Sequence, residues 1–304
     1  MLYLFIIVMI VFAFVLTRFY LLKKEINHTI RQLRDLNQNK TAKKIDILYN
    51  DPHFEELAKE INNQIDLTKQ AEAVKRSTEN ELKQAVSHIS HDIRTPMTSI
   101  LGYIQFLESD DISSELKKEY IETIKNSAGR LKILLEDFFE LSIIEQADYP
   151  LKMERVPFND LIVEALLGFY EEFKKRNIEP EIHIPDDDIM AMADSSAVKR
   201  VVENLIVNAV RYSTGHVFIV LDQVGEAVQL KISNSVDNLS EQDVTHLFDR
   251  FYKADQTRIG KGTGLGLPIA KSLMEKMNGS ISAELGDNQL TMICEWKGGK
   301  TSIQ

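Results

Sequence analysis

A histidine followed by a carboxylate and then, one helical turn later, by a hydroxyl is the first group of residues suited to chemistry. These residues are His91, Asp92 and Thr95. A neutral imidazole is a nitrogen nucleophile near pH 7, and a neighbouring carboxylate can fix its tautomer and accept its proton. Thr95 is four residues after His91, so both share a helix face, where the hydroxyl could orient a water. His88, three residues earlier, is a rival nucleophile by position alone.

Two asparagines four residues apart, Asn204 and Asn208, form the second group. A neutral amide oxygen can complete a Mg²⁺ shell when phosphates supply the negative charge. Arg211 follows within a turn and could neutralise a phosphate, and Tyr212 offers an aromatic face. Asparagine is a poor helix former, so two of them in an otherwise apolar stretch indicate a specific role.

Alternating glycines make the third group. The stretch is Gly260, Lys261, Gly262, Thr263, Gly264, Leu265, Gly266, Leu267 and Pro268. Glycines let the backbone approach a phosphate, and the N–H groups of the helix that follows can bind it. The dinucleotide-binding fingerprint does not fit, because no strand leads directly into the loop. The P-loop pattern does not fit either, because no Gly-Lys-Ser/Thr closes the stretch.

The histidine group must be held by a helical hairpin. Helical patterns run over residues 72–105 and about 114–145, with a turn at 110–114 between them. The second helix has apolar residues at strictly alternating spacings of three and four: Ile121, Ile124, Ala128, Leu131, Leu135 and Phe138. Such a stripe is typical of a bundle seam, so we expect two chains to pair into a four-helix bundle.

The asparagines and glycines must be held by a second domain. After Tyr149 and Pro150, helices predicted at 158–175, 195–212 and 267–277 are mixed with strands. The strands are predicted at 181–184, 189–193, 217–221, 228–233, 280–284 and 290–296. This mixture predicts a two-layer α/β domain, so the whole chain is of the α+β class.

The N-terminus is an apolar run long enough to cross a bilayer. As a helix, residues 1–22 would span about 33 Å. A cleavable signal peptide would have basic residues before the run, whereas Arg18, Lys23 and Lys24 follow its apolar core. We therefore expect a retained single-pass anchor with the remaining chain in the cytoplasm. Because almost nothing precedes the span, we expect no extracellular sensing domain.

Residues 23–66 read as helix, connector and helix. The connector interrupts the apolar pattern near residues 37–51, and Asp51-Pro52 is a helix-start signal. A degenerate HAMP linker and a plain juxtamembrane coiled coil both fit this pattern.

Composition narrows the class of protein further. The 304 residues carry a net charge of −10, which argues against a nucleic-acid partner. A single cysteine, Cys294, excludes an internal disulfide.

Taken together and in order, these motifs resemble those of the sensor histidine kinases over about residues 80–300. Residues 91–96 look like the family's phosphoacceptor box, and 204–213 like its asparagine box. Residues 247–252 look like its phenylalanine box, and 262–267 like its second glycine box. The resemblance implies a dimeric hairpin followed by the ATP-binding sandwich of the GHKL class, which gyrase shares.

The resemblance also implies roles for single residues. His91 would be the phosphoacceptor, assisted by Asp92, with Thr95 supporting phosphatase activity. ATP and Mg²⁺ would be the cofactors, with Asn208 on the metal. The nucleotide would be lined by Asn204, Asn208, Arg211, Tyr212, Asn234, Lys261, Gly262, Thr263, Gly264, Leu265 and Gly266. The phosphoryl group would pass to an aspartate of a response regulator.

One motif departs from the family pattern. The first glycine box has an Asp that receives the adenine amino group, and here that position holds Asn234. Both glycines of the box are replaced, by Val236 and Asn238, which puts the shape of the nucleotide lid in question. Asp237 is the alternative adenine contact.

The organisation expected is an anchor (1–22), a linker (23–66), a dimerisation and phosphotransfer domain (67–149) and an ATP-binding domain (150–304). The stimulus would arrive through the membrane, the cytoplasm or a neighbouring membrane protein such as a transporter. Two other functions remain: a kinase-like scaffold that binds nucleotide poorly, and a membrane-anchored coiled-coil protein without catalysis. Mg²⁺-dependent ATP binding separates the scaffold from an active kinase, and a coiled-coil protein would have no need of Asn208 or the glycine loop.

Overall fold

The computed structural model describes residues 2–38, 43–48, 51–108, 112–254 and 262–297. The helices are α1 (Leu2–Asn37), α2 (Pro52–Leu107), α3 (Ser114–Ile144), α4 (Phe158–Gly168), α5 (Tyr170–Lys175), α6 (Ser195–Tyr212), α7 (Glu241–His246) and α8 (Gly266–Lys276). The strands are β1 (Glu154–Pro157), β2 (Glu181–His183), β3 (Met190–Ala193), β4 (Val217–Val224), β5 (Ala227–Ser235), β6 (Ser280–Gly286) and β7 (Gln289–Trp296). The chain divides into two compact units, Met1–Gln84 and Ala85–Gln304.

In the first unit, the described residues contain one helix that is long and apolar enough to cross a membrane. This stretch of α1 covers Leu2–Leu36, with a mean hydropathy of 2.5 in its most apolar window. None of that window is buried inside the protein. The helix that was predicted to cross the membrane over residues 1–22 continues beyond the apolar run and ends at Asn37.

The connector between α1 and α2 is held by paired side-chain amides. The Gln32 amide donates to Asp46 O and accepts from Asp46 N, both at 2.9 Å. Asn62 in α2 accepts from Ile45 N at 2.8 Å and donates to Ile45 O at 3.0 Å. Each amide thus satisfies both backbone groups of one connector residue, as a neighbouring strand would. The Ile45 side chain is buried.

The hairpin of the second unit is formed by the later part of α2 and by α3. The helices predicted before and after residue 72 are one continuous helix of 56 residues, with Pro96 inside it. Ser113 caps α3 by accepting a hydrogen bond from Leu116 N. Residues 110 and 111 of the predicted turn at 110–114 lie outside the described part of the chain.

The apolar stripe of α3 is only partly covered within one chain. Leu134, Leu141 and Ile144 are buried, whereas Ile121 and Leu135 of the predicted seam remain exposed. Leu131 is half-buried. A single chain therefore leaves much of this seam for another surface to cover.

The part of the second unit that follows α3 pairs one sheet with one layer of helices. The sheet has five strands in the order β2-β4-β5-β7-β6, parallel between β2 and β4 and antiparallel elsewhere. A separate antiparallel pair joins β1 to β3. Inner-face residues alternate along β4, β5 and β7, which is the period expected of a half-buried sheet. Cys294 in β7 is fully buried, and burial raises the pKa of its thiol.

Candidate functional site

Helix α6 carries the two asparagines, and its N-terminus is fixed by Asp194. The Asp194 carboxylate caps the helix by accepting from Ala197 N at 2.9 Å. It also accepts from Ser196 Oγ at 2.5 Å and from Lys152 N at 2.7 Å. Burial acts to raise the pKa of this carboxyl, but these hydrogen bonds outweigh it and lower the pKa below its usual value.

The two asparagines differ in their contacts. Asn204 donates through Nδ2 to Arg200 O at 3.0 Å, so its Oδ1 faces away from the helix backbone. Asn208 is half-buried, and its amide makes no hydrogen bond within the described residues. The Asn208 oxygen is therefore available for a ligand.

The glycine-rich stretch approaches the same helix closely. A Cβ added to Gly266 would lie 3.0 Å from Asn204 Oδ1. A Cβ added to Gly262 would collide with the Arg211 guanidinium and come within 3.6 Å of the Tyr212 hydroxyl. The absence of side chains at these glycines is thus what lets the loop lie against the α6 residues predicted to face a nucleotide.

Within this stretch the predicted residues have different roles. The Leu265 side chain is fully buried, so it anchors the loop in the core. Thr263 Oγ1 accepts from Leu265 N at 3.3 Å. Lys261, which was predicted to line the nucleotide, lies outside the described residues.

Gly264 joins the loop to the stretch that resembles the phenylalanine box. Its carbonyl accepts from Phe251 N at 2.9 Å, and its φ is +71°. A Cβ there would lie 2.8 Å from Phe251 Cα. Phe251 is buried and has a positive φ of 63°, which is rare for a bulky residue. The two residues therefore fix each other's backbone.

Tyr252, the residue after Phe251, is held by a hydrogen bond to helix α7. Its hydroxyl donates to Asp243, which also accepts from the Ser240 hydroxyl and backbone. The hydrogen bonds from Ser240 and Tyr252 lower the pKa of Asp243 to about 2. The same hydrogen bond raises the pKa of Tyr252 to about 12.

In the segment that departs from the family's first glycine box, Val236 and Asn238 stand where the family has glycines. Asn238 adopts a left-handed φ of 59°, a conformation that Asn tolerates better than most residues. Val236 is buried and donates its N–H to Asn288 O at 2.8 Å. Asn234 is only 3% exposed at the end of β5. Of the two glycine positions, one is thus occupied by Asn238, which accepts a positive φ, and the other by Val236, which packs in the core.

The histidine group lies on α2 with its imidazole in solvent. The His91 side chain is 75% exposed, and its Nδ1 is 3.3 Å from Asp92 Oδ1. The other Asp92 oxygen accepts from Lys253 Nζ at 2.7 Å. Thr95 Oγ1 donates to His91 O at 3.2 Å, so in this structure the hydroxyl is engaged by the helix backbone. The ring of His88 packs edge-on against Phe251.

A contact at another point of the hairpin joins it to the glycine loop. Asp137 in α3 accepts from Thr263 Oγ1 at 2.7 Å and lies 3.4 Å from the Arg200 guanidinium. Arg200 also pairs with Glu140. Burial raises the pKa of Asp137 despite these partners. Sequence reasoning missed Asp137 and Lys253; the position of Lys253 directly after the 247–252 box was the only signal for either.

Two domain families match the chain, the first over the helical hairpin and the second over the α/β region that follows it. A family described as "His Kinase A (phospho-acceptor) domain" matches residues 81–147. A family described as "Histidine kinase-, DNA gyrase B-, and HSP90-like ATPase" matches residues 193–303. The chain belongs to the sensor histidine kinases of two-component systems. It is a protein-histidine kinase that uses ATP, and the predicted hairpin and GHKL sandwich are confirmed.

Curated relatives of this histidine kinase cover most of its length. The sensor histidine kinase YcbM of Bacillus subtilis (strain 168) is 29% identical over 262 residues, which are 84% of each chain. The sensor protein VanSC of Enterococcus gallinarum is 28% identical over 242 residues, 78% of this kinase and 67% of VanSC. Such relatives support autophosphorylation followed by phosphotransfer.

Solved histidine kinases share the fold. The structure of the kinase ThkA in complex with the response regulator TrrA aligns with a TM-score of 0.63 and 25% identity, covering 76% of this kinase and 66% of that chain. The Acinetobacter baumannii histidine kinase AdeS aligns with a TM-score of 0.56 at 23% identity, covering 69% of this kinase and 98% of that chain.

Proposed function

We propose that His91 is the residue that this kinase phosphorylates. The observation that carries the proposal is the placement of its imidazole, which is exposed and has Nδ1 turned to Asp92. If Nδ1 donates its proton to that carboxylate, the lone pair of Nε2 points into solvent and is free to attack. Asp92 then acts by holding the tautomer, and Lys253 holds Asp92. His88 is the weaker candidate because its ring packs against Phe251.

The nucleotide site that we propose lies between the asparagine face of α6 and the glycine loop. Asn204, Asn208, Arg211 and Tyr212 would line one wall, and Gly262 to Gly266 with Lys261 the other. Asn234 would meet the base. The close approach of Gly262 and Gly266 to α6 supports this arrangement.

A magnesium ion fits the chemistry of this wall. The Asn208 oxygen has no competing hydrogen bond among the described residues. No group of three or more His, Cys, Asp or Glu suited to a metal occurs in that part of the chain. The ion would therefore reach the site with the phosphates, whose charge it would offset, and Asn208 would complete its shell.

Thr95 is proposed to support removal of phosphate from the regulator. It lies one turn after His91 and is exposed, so its hydroxyl could hold a water near the imidazole. Its present hydrogen bond to His91 O would have to be exchanged for one to that water.

We also propose the arrangement in the cell. Residues 1–22 would anchor the chain as a single span, with the kinase domains in the cytoplasm. Residues 23–66 would form a HAMP-like linker, for which the amide-held connector is the support. Residues 67–149 would form the dimerisation and phosphotransfer domain, and 150–304 the ATP-binding domain. The protein would act as a homodimer with a cognate response regulator, and a neighbouring membrane protein such as a transporter could supply the stimulus.

Phosphorylation of the full chain in detergent with γ-labelled ATP tests the assignment. We expect His91→Gln to abolish the label without changing the melting temperature, because the side chain is exposed. His88→Gln is the matched control and should retain the label. The label should also be acid-labile and base-stable, as a phosphohistidine is. Full labelling of His91→Gln, or loss of label only in His88→Gln, would refute the assignment.

A further inference from the structure

Asn234 is a buried polar residue whose acceptor has no partner. Over residues 150–254 and 262–297, the buried polar or charged side chains are those of Asp194 and Asn234. The Asp194 carboxylate receives three neighbours' hydrogen bonds. No hydrogen bond to Asn234 Oδ1 occurs among the described residues. A buried amide in a native core is normally satisfied, so this oxygen requires an explanation.

The Asn234 oxygen is not sealed off from its surroundings. Among described residues that are not exposed, only Trp296 Nε1 is both occluded from solvent and without a hydrogen-bond partner. Asn234 Oδ1 therefore retains some access to solvent although its residue is 97% covered. A buried residue with one accessible acceptor is the form expected of a group that reads a ligand edge.

The amide of Asn234 is held only weakly in its orientation. Its Nδ2 donates to Ser235 O at 3.3 Å, which is long for such a bond. That carbonyl already accepts from Thr214 N at 3.0 Å. Exchanging the positions of Oδ1 and Nδ2 would sacrifice this one weak hydrogen bond, and the side chain would turn away from Ser235 O so that two acceptor oxygens do not face each other. The backbone bond would stay in place.

The end of β5 lies beside the nucleotide wall. Ser235 bonds through its carbonyl to Thr214 and through its N–H to His216 O at 3.1 Å. Thr214 comes two residues after Tyr212, at the end of α6. These bonds tie Asn234 to the end of the helix that carries Asn208 and Arg211.

We propose that Asn234 reads the 6-position of the purine and that its amide admits guanine as well as adenine, so that this kinase uses both ATP and GTP. The inference rests on the proposed nucleotide site. Adenine presents an amino donor at this position and guanine a carbonyl acceptor. At position 6, a carboxylate only accepts and would pair with the amino group of adenine but not with the carbonyl of guanine, whereas an amide accepts through Oδ1 and donates through Nδ2.

Discrimination by hydrogen bonding depends on leaving a group unpaired. A site built to bond one group rejects an analogue strongly when a buried polar group loses its partner. An amide that can turn leaves the group at position 6 of neither purine unpaired, so this source of rejection at that position is missing. With GTP, the bond between the γ-phosphorus and the bridging oxygen would break, the His91 nitrogen would form the new bond, GDP would leave and the imidazole proton would pass to solvent.

Competition binding on the full chain in detergent tests the inference. MgATP and MgGTP would each displace a fluorescent adenine nucleotide from the wild type and from Asn234→Asp. We expect wild-type affinities for the two to agree within about thirtyfold, that is, about 2 kcal/mol. Asn234→Asp, which only accepts, should widen the preference for ATP by at least about tenfold. A larger wild-type gap, or an unchanged ratio in a folded Asn234→Asp protein, overturns the inference.

Two additions keep the result decisive. Asn208→Ala should weaken both nucleotides alike; if it does while the base preference fails as above, only the inference about Asn234 is lost. If neither Asn208→Ala nor Asn234→Asp alters binding, the proposed site and the inference fall together. If Asn234→Asp does not fold, ITP binding to the wild type decides, because ITP keeps the 6-carbonyl: affinity within about thirtyfold of ATP supports the inference, and weaker binding overturns it.

Discussion

Gly264→Ala should uncouple the glycine loop from the rest of the site. The added methyl would force a left-handed φ of +71° on alanine, at a cost of about 1–2 kcal/mol. It would also lie 2.8 Å from Phe251 Cα and 2.9 Å from Phe251 C, which are backbone atoms that cannot swing away. Relieving that overlap adds about 1–3 kcal/mol, as overpacking does elsewhere.

The total of about 2–5 kcal/mol should be relieved by opening of the loop rather than by unfolding of the sheet, because loops open at lower cost than cores. If the loop must close to hold the nucleotide, the affinity for MgATP should fall by about 30-fold to about 4,000-fold. Isothermal titration on the full chain in detergent measures this directly.

Gly225→Ala provides the matched control. Gly225 has a φ of +65° in the turn between β4 and β5, but a Cβ there meets nothing within 4 Å. That variant should lose about 1–2 kcal/mol of stability and keep its nucleotide affinity. The reasoning is refuted if Gly264→Ala binds MgATP as the wild type does, or if Gly225→Ala loses as much affinity.

Three further outcomes are expected. Asp194→Ala should cost about 1–3 kcal/mol at pH 7. Since the folded pKa of Asp194 is lowered, its contribution is full above the unfolded value of about 3.9 and is lost as pH falls through the folded value, so wild type and variant should converge in thermal melts in strong acid. Thr95→Ala should autophosphorylate normally yet dephosphorylate its regulator about tenfold more slowly or worse; an unchanged rate would favour a purely structural hydroxyl. Leu131→Glu should dimerise less favourably than the wild type by about 3 kcal/mol, because it buries a charge in the seam. Light scattering measures the dimerisation of both proteins, and a monomeric wild type would contradict the bundle.

Periodicity predicted the elements that carry the site better than it predicted the small elements around them. Helix α6 was predicted residue for residue as Ser195–Tyr212, because a capping Asp precedes it and its apolar positions keep a helical period. Strand β1 was missed because it has four residues and gains its partner β3 only on folding. Helix α7 was missed because its six residues are mostly polar, although the Ser240–Asp243 capping box was a signal.

The sequence could name candidate residues for the site, but it could not predict the contacts between them. The resemblance placed Asn204, Asn208 and the glycines in one site, and their spacing put both asparagines on one face. The hydrogen bond between Asp137 and Thr263 joins residues 126 positions apart, so local patterns carry no information about it. The continuous helix α2 was divided in prediction because its apolar spacing weakens near residue 72 while its backbone hydrogen bonds do not.

Buried Cys294 makes the kinase a convenient host for thiol-based probes. The chain has no other cysteine, and this thiol is covered in β7 between two neighbouring strands. Burial raises its pKa, so the reactive thiolate is scarce as well as hidden. A cysteine introduced at an exposed position would thus carry a spin label or dye without removal of the native residue. In the unmodified chain, the rate at which Cys294 reacts would report opening of the central sheet, and a ligand that binds the folded state should slow it.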